Sequence, residues 1–92
     1  CLKFYYYMYG WHLAQGWLSV FRKERNQAQE LLFEVDGDQG QRWLSKVINL
    51  EDMYPSTEVI FEAVKGDGHQ SDIALDTVSI TPGFCSKQSE PF

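Results

Sequence analysis

DIALDTVSI, residues Asp72–Ile80, is the segment of this sequence that decides its fold. Each half of the segment alternates large apolar residues with small or polar ones, as on a β-strand with one buried face. The step from Leu75 to Val78, however, is an odd number of residues. Because successive side chains on a strand point to opposite faces, the segment must bulge or bend to keep both residues on one face. The sequence therefore predicts a bulge or a bend at Asp76-Thr77.

The rest of the chain contains further strand-like segments with the same alternation. They are Leu2–Tyr9, Trp17–Arg22, Leu31–Val35, Trp43–Leu50 and Glu58–Val64. Glu58–Val64 carries apolar residues on both faces, which predicts a central strand. The polar segment Lys23–Glu30 has too few apolar residues for a helical stripe, so we expect a solvated hairpin connection. Asp36–Gly40 combines Asp with Gly and predicts a hairpin turn. With no convincing helix, the pattern indicates an all-β sandwich.

Composition limits the function classes that this chain can serve. Its 92 residues suffice for one small domain, and 43% of them are hydrophobic. Eight Lys and Arg against thirteen Asp and Glu give a net charge of −5. Nucleic acids and anionic membranes require a concentrated basic patch, so neither is an expected partner. No apolar run approaches the roughly 18–20 residues that a membrane span requires.

We find no arrangement of residues typical of a catalytic site, and the chain is not expected to be an enzyme. No serine lies in a nucleophile elbow, and neither cysteine has a recognisable histidine partner in sequence. His12 and His69 are too isolated to predict a metal pair. Asp36-Gly37-Asp38 begins like a calcium-binding EF-hand loop, but Gly40 stands where the third ligand is needed. Turn chemistry is the favoured interpretation of that segment.

The two cysteines lie near opposite ends of the chain, at Cys1 and Cys85. One disulfide joining the two ends is the natural interpretation, and two buried free thiols are the alternative. In the chain-entropy model, closing so long a loop would stabilise the fold by roughly 4–5 kcal/mol.

Three motifs in order give the chain a specific resemblance to a known family. GDGHQSDIALDTVSITPGFC, residues 66–85, resembles the C-terminal signature of the MAM domain, an extracellular module of meprins, neuropilins and receptor-type tyrosine phosphatases. VIFEAVKG, residues 59–66, and CLKFYYYMYG, residues 1–10, resemble two earlier strands of that family. The chain departs from the family pattern at Ser71, where the family prefers Gly, and at Thr77, where it prefers Asp.

The resemblance sharpens the expected architecture. It implies a jelly-roll-like sandwich of two antiparallel sheets, incomplete at its N-terminal side because the family domain has earlier strands. Residues 1–85 would form the C-terminal portion of the domain, and residues 86–92 a linker. It also favours an oxidising, extracellular location, in a secreted protein or the ectodomain of a membrane protein, and hence a Cys1–Cys85 disulfide.

The function that the resemblance implies is protein–protein interaction in cell adhesion, including association between like domains. An architectural spacer that orders a catalytic neighbour such as a protease is the alternative, and a ligand-binding jelly roll is a weaker analogy. Tyr5, Tyr7 and Tyr9 share one face of the first strand, which suits an interface. Alternatively, these rings cover a neighbouring strand or an upstream part of the domain. Direct membrane contact is not expected.

One cation site follows from the resemblance alone. Asp67, Asp72 and Asp76 form an acidic set near the last strand, and some MAM domains hold a cation near this region. Asp72 is the candidate ligand for a structural calcium ion. Solvated or turn-capping carboxylates are the favoured alternative, and no other cofactor is expected.

The Asp36–Gly40 turn is predicted to bind no calcium. Calorimetric titration with calcium should give the same heats for the parent chain and for Asp38→Ala. A binding isotherm that this substitution removes would overturn the prediction.

Residues 1–92 alone are predicted to be poorly folded or self-associated, with one face of Leu2–Tyr9 and of Glu58–Val64 exposed. Losing neighbouring strands could remove several kcal/mol from a total of about 5–15 kcal/mol. Sedimentation and thermal unfolding of the chain with and without an upstream segment test this. A sharp, monomeric transition of residues 1–92 alone would contradict it.

Overall fold

The computed structural model of the chain describes residues 1–10, 16–65 and 72–85, which contain six β-strands. In chain order they are β1 (Leu2–Tyr9), β2 (Trp17–Lys23), β3 (Glu30–Asp36), β4 (Trp43–Ile48), β5 (Glu58–Val64) and β6 (Asp72–Ile80). The predicted all-β class is confirmed, and every predicted strand is present. Residues 66–71 and the predicted linker at 86–92 lie outside the described residues. Within those ranges, no helix is long and apolar enough to cross a membrane.

The described strands form two antiparallel sheets of three strands each. The first sheet has the order β4-β1-β6, and the second sheet has the order β3-β2-β5. Strands β1 and β2 are therefore the central strands, and each contributes fully buried side chains to one shared core. This arrangement is consistent with the predicted sandwich.

The core consists of alternate residues of the two central strands. Its buried members are Leu2, Phe4, Tyr6, Met8, Leu18 and Val20. Phe4 lies at the centre, with its ring centroid 5.1 Å from that of Phe61 and 6.0 Å from that of Phe33, both edge-on. Burying one large apolar side chain contributes about 1.5–3 kcal/mol, so this row supplies much of the driving force for folding.

The prediction that Glu58–Val64 is a central strand is wrong, because β5 is an edge strand of the second sheet as described. Its alternate residues Val59 and Phe61 pack against the core, and Ile60 and Val64 on the other face are half-buried. Apolar residues on both faces of a strand indicate that both faces are partly covered. They do not indicate whether the strand has one or two neighbouring strands in its sheet, because strands pair through backbone hydrogen bonds.

The face of β1 that points toward the core is buried. Among the apolar residues that point toward the core, the most exposed lie on β6. Leu75, Val78 and Ile80 are 37%, 48% and 51% exposed. Strand β6 is an edge strand of the first sheet in the described chain, and the second sheet covers its inner side only in part.

The prediction of a hairpin turn at Asp36–Gly40 is also wrong, although its turn chemistry is present. Strand β3 belongs to the second sheet and β4 to the first, so this segment links the two sheets. Gly37 and Gly40 have positive φ, and the Gly40 amide donates to Asp38 Oδ1 at 2.8 Å. The Gln39 amide donates to the Met8 carbonyl oxygen at 2.8 Å. Turn residues determine where the chain changes direction, whereas packing in the core determines to which sheet the next strand belongs.

By contrast, Lys23–Glu30 does join two paired strands. Strands β2 and β3 are antiparallel neighbours, and Arg22 pairs with Glu30 at the closed end. The hairpin predicted there is confirmed.

The bulge predicted in the last strand is confirmed. Lys3 pairs with Ser79, but Tyr5 pairs with Asp76, so β6 contains one residue more than β1 in this interval. Thr77 lies in the bulge with a φ of 50°, and its amide donates to Asp76 Oδ1 at 2.8 Å. The extra residue places Val78 on the same face as Leu75, as the sequence required.

Replacing Thr77 with Asn should stabilise the domain. The left-handed region costs most residues about 1–2 kcal/mol, and Asn tolerates it better than a β-branched residue does. Because Thr77 is exposed, its side chain has little packing to lose. We expect Thr77→Asn to raise the free energy of unfolding by about 0.5–1 kcal/mol.

Denaturant unfolding measures this change, with Ser79→Asn as the control on the same strand. Ser79 is exposed and has no positive φ, so Asn there should bring no gain. Equal effects of the two substitutions would contradict the assignment of strain to Thr77.

Candidate interaction surface

The outer side of the first sheet carries a cluster of aromatic side chains. Because Phe4, Tyr6 and Met8 face the core, the alternation of β1 places the residues between them on the opposite side. The Tyr7 ring centroid lies 5.4 Å from that of Trp43 and 6.3 Å from that of Tyr9. We name this cluster the aromatic face; its members are Tyr5, Tyr7, Tyr9 and Trp43.

The aromatic face is partly open to solvent. Trp43 is 49% exposed and Tyr9 39%, whereas Tyr5 and Tyr7 are half-buried. The side chains beside it include Val47 of β4, which pairs with Lys3 and is itself exposed. These rings lie against a sheet, which limits their freedom, and they present apolar area together with tyrosine hydroxyls. Such surfaces are typical of protein interfaces.

Sequence reasoning identified the three tyrosines but missed Trp43. The structure brings it to the site through the pairing of Tyr7 with Trp43 across β1 and β4. The two strands are far apart in sequence, and their connection passes through the other sheet. The alternation of β4 places Trp43 on a strand face, but no local signal matches that face to the tyrosines of β1.

Opposite charges flank the aromatic face. The Lys3 ammonium lies 5.4 Å from the Tyr5 ring centroid, within the range of a cation–π interaction. On the other side, Asp72 pairs with Tyr9 and Asp76 pairs with Tyr5 across β1 and β6. Both carboxylate residues are exposed. The surface therefore has a cation toward the start of β1 and carboxylates beside the middle and the end of that strand.

The candidate calcium ligand Asp72 lies at the start of β6, two residues before Ala74 on the same face as Asp76. The Asp76 carboxylate accepts the Thr77 amide, so it caps the bulge. The described part of the chain contains no group of three or more His, Cys, Asp or Glu side chains that could hold a metal ion. Asp67, the third member of the acidic set, lies outside that part. A cation at Asp72 stays a prediction.

The start of β1 and the segment after β6 are held together at one edge of the sandwich. Cys1 and Cys85 form a disulfide with a Cα–Cα distance of 4.8 Å. The Cys1 backbone nitrogen lies within hydrogen-bonding distance of the carbonyl oxygens of Thr81 and of Gly83, the latter at 2.9 Å. The Cys85 amide donates to Asn49 Oδ1 at 2.6 Å, which joins the segment after β4 to the same group of contacts. We name these contacts among Cys1, Asn49, Thr81, Gly83 and Cys85 the clasp.

An open apolar cleft of about 440 Å³ adjoins this clasp. Leu50, Met53 and Ile80 line it together with the Thr81–Gly83 backbone segment. The described residues that line it include no acidic, histidine or free thiol side chain that could take part in catalysis.

Comparison with known proteins shows which family the sequence resembles. The model of the family described as MAM domain, meprin/A5/mu, matches residues 1–86. The chain is 40% identical over 95 residues to MAM domain-containing glycosylphosphatidylinositol anchor protein 2 of Mus musculus, covering 99% of this chain and 10% of that protein. It is 36% identical over 91 residues to MAM domain-containing protein 2 of Homo sapiens, covering 98% of this chain and 13% of that protein.

A third relative is more distant. MAM domain-containing glycosylphosphatidylinositol anchor protein 1 of Homo sapiens is 32% identical over 92 residues, covering 99% of this chain and 10% of that protein. The names of all three relatives describe anchor or domain-containing proteins and not enzymes. The chain thus spans about a tenth of the length of the relatives it matches. No solved structure was found to match it. The extent of the family match and the identity to these relatives together show that the chain belongs to the MAM domain family.

Proposed function

We propose that this chain is a non-catalytic protein-recognition module outside the cell and that its aromatic face binds a protein partner. The observation that carries the proposal is the convergence of Tyr5, Tyr7, Tyr9 and Trp43 on the solvent side of the first sheet. Each ring offers a large contact area with few rotatable bonds, so little conformational entropy is lost on binding. Residues of this type provide most of the anchors of protein interfaces.

The relatives and the disulfide both support an extracellular location. Two of the three relatives are named glycosylphosphatidylinositol anchor proteins, and such an anchor holds a protein on the outside of a membrane. The Cys1–Cys85 disulfide is the kind of bond that persists in oxidising compartments. We therefore assign the chain to the ectodomain of a larger, membrane-associated protein.

The charges at the ends of the aromatic face favour a like domain as the partner. Lys3 lies toward one end of β1, and Asp72 pairs with Tyr9 at the other end. When two copies stack these faces with antiparallel β1 strands about a two-fold axis, Lys3 of each copy lies near Asp72 of the other. Exposed charge pairs add little affinity, but they select this orientation against the parallel one.

Substitution of Trp43 should weaken association of the complete extracellular region that carries this chain. Trp43→Ser removes the most exposed ring of the aromatic face, and we expect a loss of at least about tenfold in affinity, as for an interface anchor. Tyr54→Ser is the matched control, because Tyr54 is 59% exposed and lies on the β4–β5 connection. We expect it to change affinity by less than about twofold. Sedimentation equilibrium measures both.

Charge exchange tests the orientation. Lys3→Glu alone should weaken association, and Lys3→Glu combined with Asp72→Lys should restore it. If neither Trp43→Ser nor the charge variants alter association while the variants remain folded, the aromatic face is not the interface. The architectural spacer would then be the better description.

A further inference from the structure

Over the residues that the structure describes, the outer side of the second sheet is a second unpartnered surface, on the side of the sandwich away from the aromatic face. Leu18 and Val20 face the core, so alternation places Trp17, Ser19 and Phe21 of β2 on the outside. The surface also carries apolar residues of the neighbouring strands, of which Leu31 is 50% exposed. A sheet face that is apolar and open on its outer side indicates a partner.

Three residues on neighbouring strands, Glu34, Ser19 and Glu62, form a row across the centre of this surface. Ser19 pairs with Glu34 of β3 on one side and with Glu62 of β5 on the other. Ser19 is buried, with 1% of its surface exposed, and its hydroxyl donates to Glu34 Oε2 at 3.0 Å. This bond draws one carboxylate toward the centre of the face. Because neighbouring strands are about 4.8 Å apart, the backbones of Glu34 and Glu62 lie about 10 Å apart.

Aromatic rings flank the row along β2. Trp17 and Phe21 each lie two residues from Ser19 on the same face, about 6.5 Å away along the strand. Both rings are half-buried. The small serine is therefore flanked by glutamates on the two neighbouring strands and by aromatic residues on either side along β2.

The charge on this surface is mostly negative and uncompensated. Its acidic residues are Glu34, Asp36, Glu58 and Glu62, according to the register of the second sheet. Lys23 is the cation on the same face, and its ammonium donates to the Gln27 carbonyl oxygen at 2.9 Å in the hairpin. Over residues 1–10, 16–65 and 72–85, the only ion pair is Arg22–Glu24, so neither Glu34 nor Glu62 has one.

We propose that this outer face docks a second protein partner, which inserts an arginine between Glu34 and Glu62 above Ser19. The flat guanidinium can donate to both carboxylates and stack against the rings of Trp17 and Phe21, which an ammonium does less well. Apolar side chains on either side of that arginine cover the rings. An extended segment with alternating residues supplies this pattern, because its side chains repeat every 6.5–7 Å or so, as those of β2 do.

Charge complementarity selects a partner other than a second copy of this chain. The net charge of −5 makes the approach of a second copy to an acidic face unfavourable. The aromatic face and this acidic face lie on opposite sides of the sandwich, so both can be occupied at once. The inference does not depend on the function proposed for the aromatic face.

Short peptides test the proposal directly. The probe is the acetylated, amidated pentapeptide Ile-Thr-Arg-Thr-Ile, in which alternation places Ile, Arg and Ile on one side. The matched peptides carry Lys or Gln in the centre. Binding to the immobilised extracellular region is measured by surface plasmon resonance at low and high salt. We expect the Arg peptide to bind at least about tenfold more tightly than the Gln peptide, with the Lys peptide in between and salt reducing the difference.

Substitutions that remove the charge of one carboxylate test whether the peptide binds at the row formed by Glu34, Ser19 and Glu62. Glu34→Gln and Glu62→Gln keep the shape of exposed side chains, and each should abolish most of the preference for Arg over Gln. Glu58→Gln is the matched control on the same face of β5, four residues from Glu62, and it should change affinity by less than about twofold. Tyr7→Ser on the aromatic face should have no effect.

Four results would overturn the proposal. The first three are equal binding of the Arg and Gln peptides, equal losses from Glu58→Gln and Glu62→Gln, and no binding of the Arg peptide at millimolar concentration. Loss of binding in Tyr7→Ser, with Glu62→Gln unaffected, would move the peptide site to the aromatic face and would likewise overturn it.

Discussion

Burial of one side of β1 against β2 is the interaction on which the rest of the structure depends. The four inward residues of β1 are almost completely buried, and Phe4 contacts aromatic rings from both edge strands of the opposite sheet. Strand β1 is also the centre of its own sheet, pairing with β4 and β6 at once. Because its inward side is committed to the core, Tyr5, Tyr7 and Tyr9, which alternate with the core residues, must face outward. The candidate interaction surface is thus a consequence of core packing.

The same constraint explains the bulge and the clasp. Strand β6 pairs with β1 along almost its whole length, yet its apolar residues change phase at Thr77. The bulge lets the strand stay in the sheet and return Val78 and Ile80 to the inner side. Beyond that point, the disulfide and the hydrogen bond from the Thr81 amide to the Cys1 carbonyl oxygen hold the end of β6 against the start of β1. Packing, register and covalent closure all act on one strand pair.

The two outer faces differ in chemistry, which gives the domain two distinct surfaces. The aromatic face combines tyrosine and tryptophan rings with one cation and two carboxylates at its margins. The face on the second sheet is acidic, with a buried serine and two flanking rings at its centre. A thin sandwich, with one principal extent of only 15 Å, leaves both faces available. A module of this shape can contact one partner on each side.

Side-chain alternation and composition, which act over a few residues, are sufficient to predict the strands, the bulge, the hairpin at Lys23–Glu30 and the outward position of Tyr5, Tyr7 and Tyr9. Three further features are evident only once the strands are paired: Asp36–Gly40 links two sheets, β5 lies at an edge, and Trp43 joins the tyrosines. Only the tertiary structure places Glu34 and Glu62 on either side of Ser19. Each of these depends on which strands pair, and pairing is set by backbone hydrogen bonds and core packing between residues far apart in the chain.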